Sequence, residues 1–389
     1  MASKTSALIV VLGIAFILVF NIFNYDSIEG YDAEAHYGYV DHFSRYLPRS
    51  INLPDEIHTR EFFNPPFGYL VPSIGQVVCR NFTISNDYLN ECRNFYGNFT
   101  QIFQAFLYLM TIFINLATLK KFYKSKSYLN IEYLLLISLL AVNYRTISMV
   151  RGEPYILFFL SLLIYKFYDF CKKDFVISNK DTIFFGVIIG LLALSRQWAF
   201  LLFPPFFILL FYKHGIQKKR YLIFLIKTFF IGFLTSSWFY FSLFFRYGSF
   251  TAFNKEPIAF SFMNQPVNFY IPNLNDLYLL FTNPIRPNFS NQFFTTLYAD
   301  TWGDYWGYFV FTSSKLDIGR NQDSIGSYLA NVNILNLPLT IFLIISVIFL
   351  KTNDKNNFFI KYSKFAISFS LIGYLWFLIS YPELPTGDT

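Results

Sequence analysis

Nine stretches of this chain are apolar over about the length a helix needs to cross a bilayer, roughly 20 residues. They run 6–23, 101–119, 131–146, 153–168, 182–196, 198–212, 221–244, 332–350 and 363–380, the third to sixth being short. In lipid each must satisfy its own backbone hydrogen bonds, which leaves helices as the solution. Only 14% of the residues are charged, against about 25% in a soluble domain. The 52 Phe and 29 Tyr suit lipid-facing helices with interfacial belts. The expectation is an all-α polytopic membrane protein of about nine transmembrane helices, with the whole chain 1–389 forming one transmembrane domain. Met1 to Phe23 has a lysine and then an apolar run, and no small-residue cleavage site precedes Asn24-Tyr25-Asp26. It reads as a retained first helix rather than a cleaved signal peptide.

Lys and Arg in the short loops set the orientation. With the N-terminus cytoplasmic, 18 of the 31 basic residues fall on the inner side, in runs such as Lys120-Lys121, Lys172-Lys173 and Lys218-Lys219-Arg220. Had 182–212 been a single helix, every later loop would flip and the basic run from His214 to Arg220 would face outward. A helical hairpin turning at Arg196-Gln197 is the reading that keeps the charge rule. The pI near 9 is then a topology signal, and no nucleic-acid partner is expected. The outer side holds 11 of the 12 arginines and 19 of the 24 acidic residues. Arg is the residue suited to a bidentate grip on phosphate.

Two long loops, 24–100 and 245–331, are expected on the outer, extracytoplasmic side. Loops of that length are usually functional or locally folded. Ala33 to Tyr46 has helical periodicity, with Tyr39, Phe43 and Tyr46 on one face, as in an amphipathic helix on the membrane surface. Cys79 and Cys92 lie in the first loop, and a disulfide is plausible on an oxidising side. Three Asn-x-Ser/Thr sequons, at Asn81, Asn98 and Asn288, also fall outside. The chain stops nine residues past the last apolar segment, which leaves room for a C-terminal continuation.

Chemistry-bearing residues gather first at Asp32-x-Glu34-x-His36, just after the first helix. On an extended chain alternate residues share a face, whereas on a helix Asp32 and His36 share one and Glu34 points elsewhere. A carboxylate beside apolar surface has its pKa raised toward the work of a general base. The same trio could ligate a divalent cation, or simply cap and solvate a surface helix. Downstream comes the run Glu56-x-His58-x-Arg60-Glu61-Phe62-Phe63-Asn64-Pro65-Pro66-Phe67-Gly68-Tyr69-Leu70. The second loop offers Asp300-Thr301-Trp302-Gly303-Asp304, an acid–Trp–acid cluster whose ring suits sugar C–H faces and whose carboxylates suit hydroxyls. No Gly-rich phosphate loop, Cys-x-x-Cys, His-Glu-x-x-His or Gly-x-Ser-x-Gly is present.

An acidic motif after the first helix, followed some 30 residues later by a Pro-Pro-aromatic element, resembles the GT-C class of membrane glycosyltransferases. That class includes protein O-mannosyltransferases and lipid A aminoarabinose transferases. The resemblance covers the first 100 residues best and implies a polyprenyl-phosphate-sugar donor, a lipid, glycan or protein acceptor, and inverting transfer at the outer face of the plasma membrane or, in a eukaryote, of the ER. It implies Asp32 as catalytic base with Glu34 as the substitute, since the acidic pair is split here as Asp32-Ala33-Glu34. The leaving lipid phosphate needs cationic stabilisation. Arg145, Arg151 and Arg196, at outer helix ends, and Arg60, His58 and His36 from the first loop are the candidates, with Asp300, Trp302 and Asp304 for substrate. Two other readings stand beside the enzyme: a transporter or flippase of lipid-linked sugars, and a non-catalytic assembly subunit.

Overall fold

The computed structural model describes residues 2–27, 32–83, 88–123, 127–286, 289, 291–307, 322–349 and 354–384. Gly30 and Tyr31, Asn288, and the lysines at 124, 126, 315 and 351 lie outside the described residues.

Among the described residues the structure is helical, without strands. In order, the helices are α1 Ala2–Asn24, α2 Ala33–Tyr46, α3 Phe67–Phe82, α4 Tyr88–Tyr123, α5 Ser127–Ser138, α6 Ala141–Ser148, α7 Glu153–Lys172 and α8 Asn179–Ser195. They continue with α9 Pro204–Ile208, α10 Gly215–Tyr247, α11 Val267–Tyr270, α12 Leu274–Leu280, α13 Phe293–Trp302, α14 Gln322–Phe349 and α15 Asp354–Ser380. Six are long and apolar enough to cross a membrane: α1, α4, α7, α10, α14 and α15. The chain is thus a polytopic membrane protein by the length and composition of its helices.

The remaining three expected spans are not straight helices of spanning length. The stretch 131–146 is a bent pair, α5 and α6, turned by 60° at Leu139–Leu140. The stretch 182–196, all but its last residue Arg196, lies in the 17-residue α8. The stretch 198–212 is split into a 3-10 turn Gln197–Leu202, α9, and a second 3-10 turn Leu209–Tyr212. Pro204 and Pro205 open α9, where their missing N–H groups and fixed φ are tolerated, and they bar continuation from the preceding turn.

α8 and α10 interlock through small residues, as membrane helices do when close backbone approach replaces the hydrophobic drive. A Cβ on Gly190 would lie 2.4 Å from Thr235 Cβ, and one on Gly186 2.6 Å from Ile231 Cβ. Below this contact Phe167, Phe185, Phe206, Tyr221 and Tyr362 form an aromatic core joining α7, α8, α9, α10 and α15.

The first long loop is folded, not a surface strap. α2 spans Ala33–Tyr46 as the periodicity predicts, but it is buried on most of its circumference, His36, Tyr37, Tyr39, Val40 and Phe43 included. Glu34 in its first turn and Arg45 and Tyr46 at its end are exposed. It is held from two sides. The Arg80 guanidinium of α3 donates to the carbonyls of Ser44 and Leu47 at 2.8 and 2.7 Å, satisfying orphan acceptors at the end of α2. Arg93 of α4 pairs with Asp41 at 2.8 Å and Glu34 at 3.1 Å. A disulfide between Cys79 and Cys92 joins α3 to α4.

Candidate functional site

Three turns meet at one end of α3, α7 and α8. The first is the loop 55–66 entering α3. The second is Arg151-Gly152-Glu153 entering α7, and the third is Ser195-Arg196-Gln197 leaving α8. Their backbones nearly touch. A Cβ on Gly68 would lie 2.8 Å from Gly152 Cα, and one on Gly152 would lie 2.2 Å from the Ser195 carbonyl oxygen. Only glycine admits this approach.

Arg196 is the buried tie at the centre. Its Nε donates to Glu153 at 2.7 Å and its terminal nitrogen to Asn64 Oδ1 at 2.5 Å, with Glu61 3.9 Å away. Gln197 donates to the Phe63 carbonyl at 2.6 Å, clasping the loop from the far side. The Asn64 amide donates to the Glu61 carboxylate and to the Tyr69 hydroxyl. Tyr69 stacks on Tyr39 at 3.8 Å between ring centroids, and its hydroxyl lies 2.6 Å from His36 Nδ1. This carries the network into α2. At the start of α2, Asp32 adopts left-handed φ of 61°, a conformation Asp tolerates better than most residues, and forms an ion pair with Arg60.

These groups surround a cavity of about 210 Å³. Asp32, His36, Arg60, Glu61, Arg151, Arg196 and Lys255 supply its charged lining, and Trp198 and Phe253 are among its aromatic lining. Lys255 is bridged to Glu383 at 2.8 Å, so the residues just beyond α15 form part of the rim. A larger groove of about 610 Å³ shares the wall made by Phe63, Trp198, Phe253, Asn254 and Lys255, and is lined further by Phe62, Tyr247, Trp376 and Tyr381.

Burial sets the charge states. Desolvation, with the guanidiniums of Arg151 and Arg196 adding to it, holds the His36 imidazole well below its usual range, so it is neutral at pH 7. Burial raises the Glu61 carboxyl despite the opposing pull of Arg196, Arg151 and Arg60. Burial also pushes the Tyr69 hydroxyl up, which keeps it protonated.

Of the residues singled out by sequence, Asp32, His36, Arg60, Arg151 and Arg196 share this cavity. Glu34 does not line it. Its side chain is 81% exposed and faces Arg93, because two helical positions past Asp32 turn it to the other side of α2. The trio Asp32, Glu34 and His36 therefore does not converge as a cation site. Among the described residues no group of three or more His, Cys, Asp or Glu side chains is arranged to hold a metal ion. His58 is also off the cavity, 2.5 Å from Asp55, with its ring tilted against that of His42 at 3.9 Å between centroids.

Arg145 lies elsewhere too. It grips both oxygens of Asp300 and has Asp304 at 3.9 Å. With Trp302 these residues form a second cluster between α6 and α13. Sequence reasoning passed over Glu61, Asn64, Tyr69, Glu153 and Lys255. Glu61, Asn64 and Tyr69 sit inside the charged Pro-Pro run, and Glu153 follows the Arg151-Gly152 pair, so proximity to the chosen residues was the available signal. Lys255 carried none. No protein-family model, no curated protein and no solved structure matches this chain.

Proposed function

We propose that the protein is a membrane glycosyltransferase that takes a sugar from a polyprenyl-phosphate donor. The observation that carries this reading is the meeting of a carboxylate, a neutral imidazole and several cations on one cavity, from loops far apart in sequence. Asp32 is the proposed base. It takes the proton of an acceptor hydroxyl, whose oxygen attacks the anomeric carbon from the face opposite the phosphate. The bond from that carbon to the phosphate oxygen breaks, and the lipid phosphate leaves with the electron pair, inverting the configuration.

Arg60, Arg151 and Lys255 are the groups proposed to receive the developing phosphate charge, where preorganised donors are worth most. Arg196 holds the loop through Glu153 and Asn64 and acts as a positioning residue. The adjoining aromatic groove, about 610 Å³, is the proposed path of the donor's isoprenoid chain. The acceptor, a lipid, a glycan or a protein, approaches from the extracytoplasmic side expected from the charge pattern.

Binding tests the phosphate assignment apart from turnover. Purified protein in nanodiscs, titrated with a short-chain polyprenyl phosphate, should bind it, and a matched polyprenol should bind at least about tenfold more weakly. Lys255→Gln and Arg60→Gln should each weaken phosphate binding and leave polyprenol binding unchanged. Equal affinity for the phosphate and the alcohol would remove the basis for the proposal.

A further inference from the structure

A second cavity, about 890 Å³, lies between α1, the α5–α6 bend, α13 and α14. It falls within the ~300–1,000 Å³ range of small-molecule sites. Its body is apolar, with Ile17 of α1, Leu139 at the bend and Val332 and Leu335 of α14 along its length. Its polar end is made by Trp302, Asp304 and Tyr144. Tyr144 is only 6% exposed, and among the described residues its hydroxyl has no hydrogen-bond partner. A buried hydroxyl in that state is costly, and a ligand hydroxyl would relieve it.

The charge at this end differs from that of the first cavity. Among the described residues that line it there is no lysine or arginine, and neighbouring Arg145 is committed to both oxygens of Asp300. A phosphate would meet the Asp304 carboxylate, and the Arg145 guanidinium 3.9 Å from that carboxylate is already held by both oxygens of Asp300. A hydroxyl would meet an acceptor in Asp304, a phenol in Tyr144 and an indole face in Trp302. The walls also indicate how a ligand enters. The apolar windows of α1 and α14 are only 17% and 11% buried, the lowest of the six spanning helices, so the cavity is bounded by helices whose outer sides meet lipid.

We infer that this cavity binds a lipid with an uncharged, hydroxyl-bearing headgroup. Its chain lies along α1 and α14 and its head sits against Trp302, Tyr144 and Asp304. The site needs only the membrane setting, and it holds whether or not the first cavity transfers a sugar.

Chain-brominated dodecyl glucoside, added to the full chain in nanodiscs of saturated phosphatidylcholine, tests it through quenching of tryptophan fluorescence. The difference between wild type and Trp302→Phe isolates Trp302. The expected result is saturable quenching of Trp302 by the glucoside at a concentration at least about tenfold below that of the same brominated chain bearing a phosphate. Tyr144→Phe should raise the half-saturation by about 2–10-fold, the loss of one hydrogen bond. Ala141→Phe, which fills the cavity from α6, should abolish the quenching and leave polyprenyl phosphate binding at the first cavity unchanged. Equal quenching by the phosphate-headed probe, the same quenching in Trp302→Phe as in wild type, or full quenching in Ala141→Phe would each overturn the inference.

Discussion

Asp32 and Glu34 stand two residues apart and meet different surroundings. Asp32 caps α2 from a left-handed conformation and faces the charged cavity, whereas Glu34 is mostly exposed and held by Arg93. The spacing alone left the two equivalent, because an extended and a helical chain present them differently. The start of α2 at Ala33 leaves Asp32 on the cavity and turns Glu34 toward Arg93.

His42, in the same helix, supports a test of the fold at this scale. It is buried, and desolvation, followed by the repulsion of His58 and Arg45, lowers its pKa from 6.5 to about 4, with Asp55 opposing. The unfolded chain therefore binds a proton between pH 6.5 and about 4 that the folded chain refuses. Stability is lost as pH falls through that window. Thermal unfolding in detergent should show the wild-type midpoint falling relative to His42→Gln from about pH 6.5 downward, with a constant offset above pH 7. An offset that is the same at pH 5 and pH 8 would contradict the buried, neutral imidazole.

At the scale of elements, the glycines carry the arrangement. Gly152→Ala places a methyl 2.2 Å from the Ser195 carbonyl, and the backbone turns must separate to admit it. The cost should reach at least about 1–3 kcal/mol, with a lower unfolding midpoint and weaker binding of polyprenyl phosphate together. Gly190→Leu acts on a different contact, forcing α8 from α10 at Thr235. It should destabilise by a similar amount, read as a lower midpoint, and full stability of this variant would mean that the two helices do not pack closely.

Much of this level is legible in the chain. The helix Ala33–Tyr46 and six of the nine apolar spans follow from periodicity and length, whereas the pairing of Cys79 with Cys92 is legible only as plausible on an oxidising side. The bend at Leu139–Leu140 and the broken stretch 197–212 are not legible, because hydropathy averages over a break and Pro204-Pro205 sit within an unbroken apolar run. Arg145 and Arg151 look alike in the sequence, both lying near a helix end. The commitment of Arg145 to Asp300, 155 positions away, is a tertiary fact that no local pattern encodes.

Across the whole molecule, the charged cavity is assembled from the first loop, two inter-helix turns, the segment after α10 and the residues following α15. The first loop contributes four polar side chains, Asp32, His36, Arg60 and Glu61, and each of the other segments one or two. The helices satisfy their own backbone hydrogen bonds, as lipid requires, while the turns and loops gather the charge. The most direct measurement is transfer of a radiolabelled sugar from a panel of polyprenyl-phosphate donors by the purified full chain, run beside Asp32→Asn and Glu34→Gln. The account predicts transfer from at least one donor, a loss of about 10²–10⁴-fold in Asp32→Asn as expected for a general base, and near wild-type turnover in Glu34→Gln. Absence of transfer from every donor, or undiminished transfer by Asp32→Asn, would contradict it.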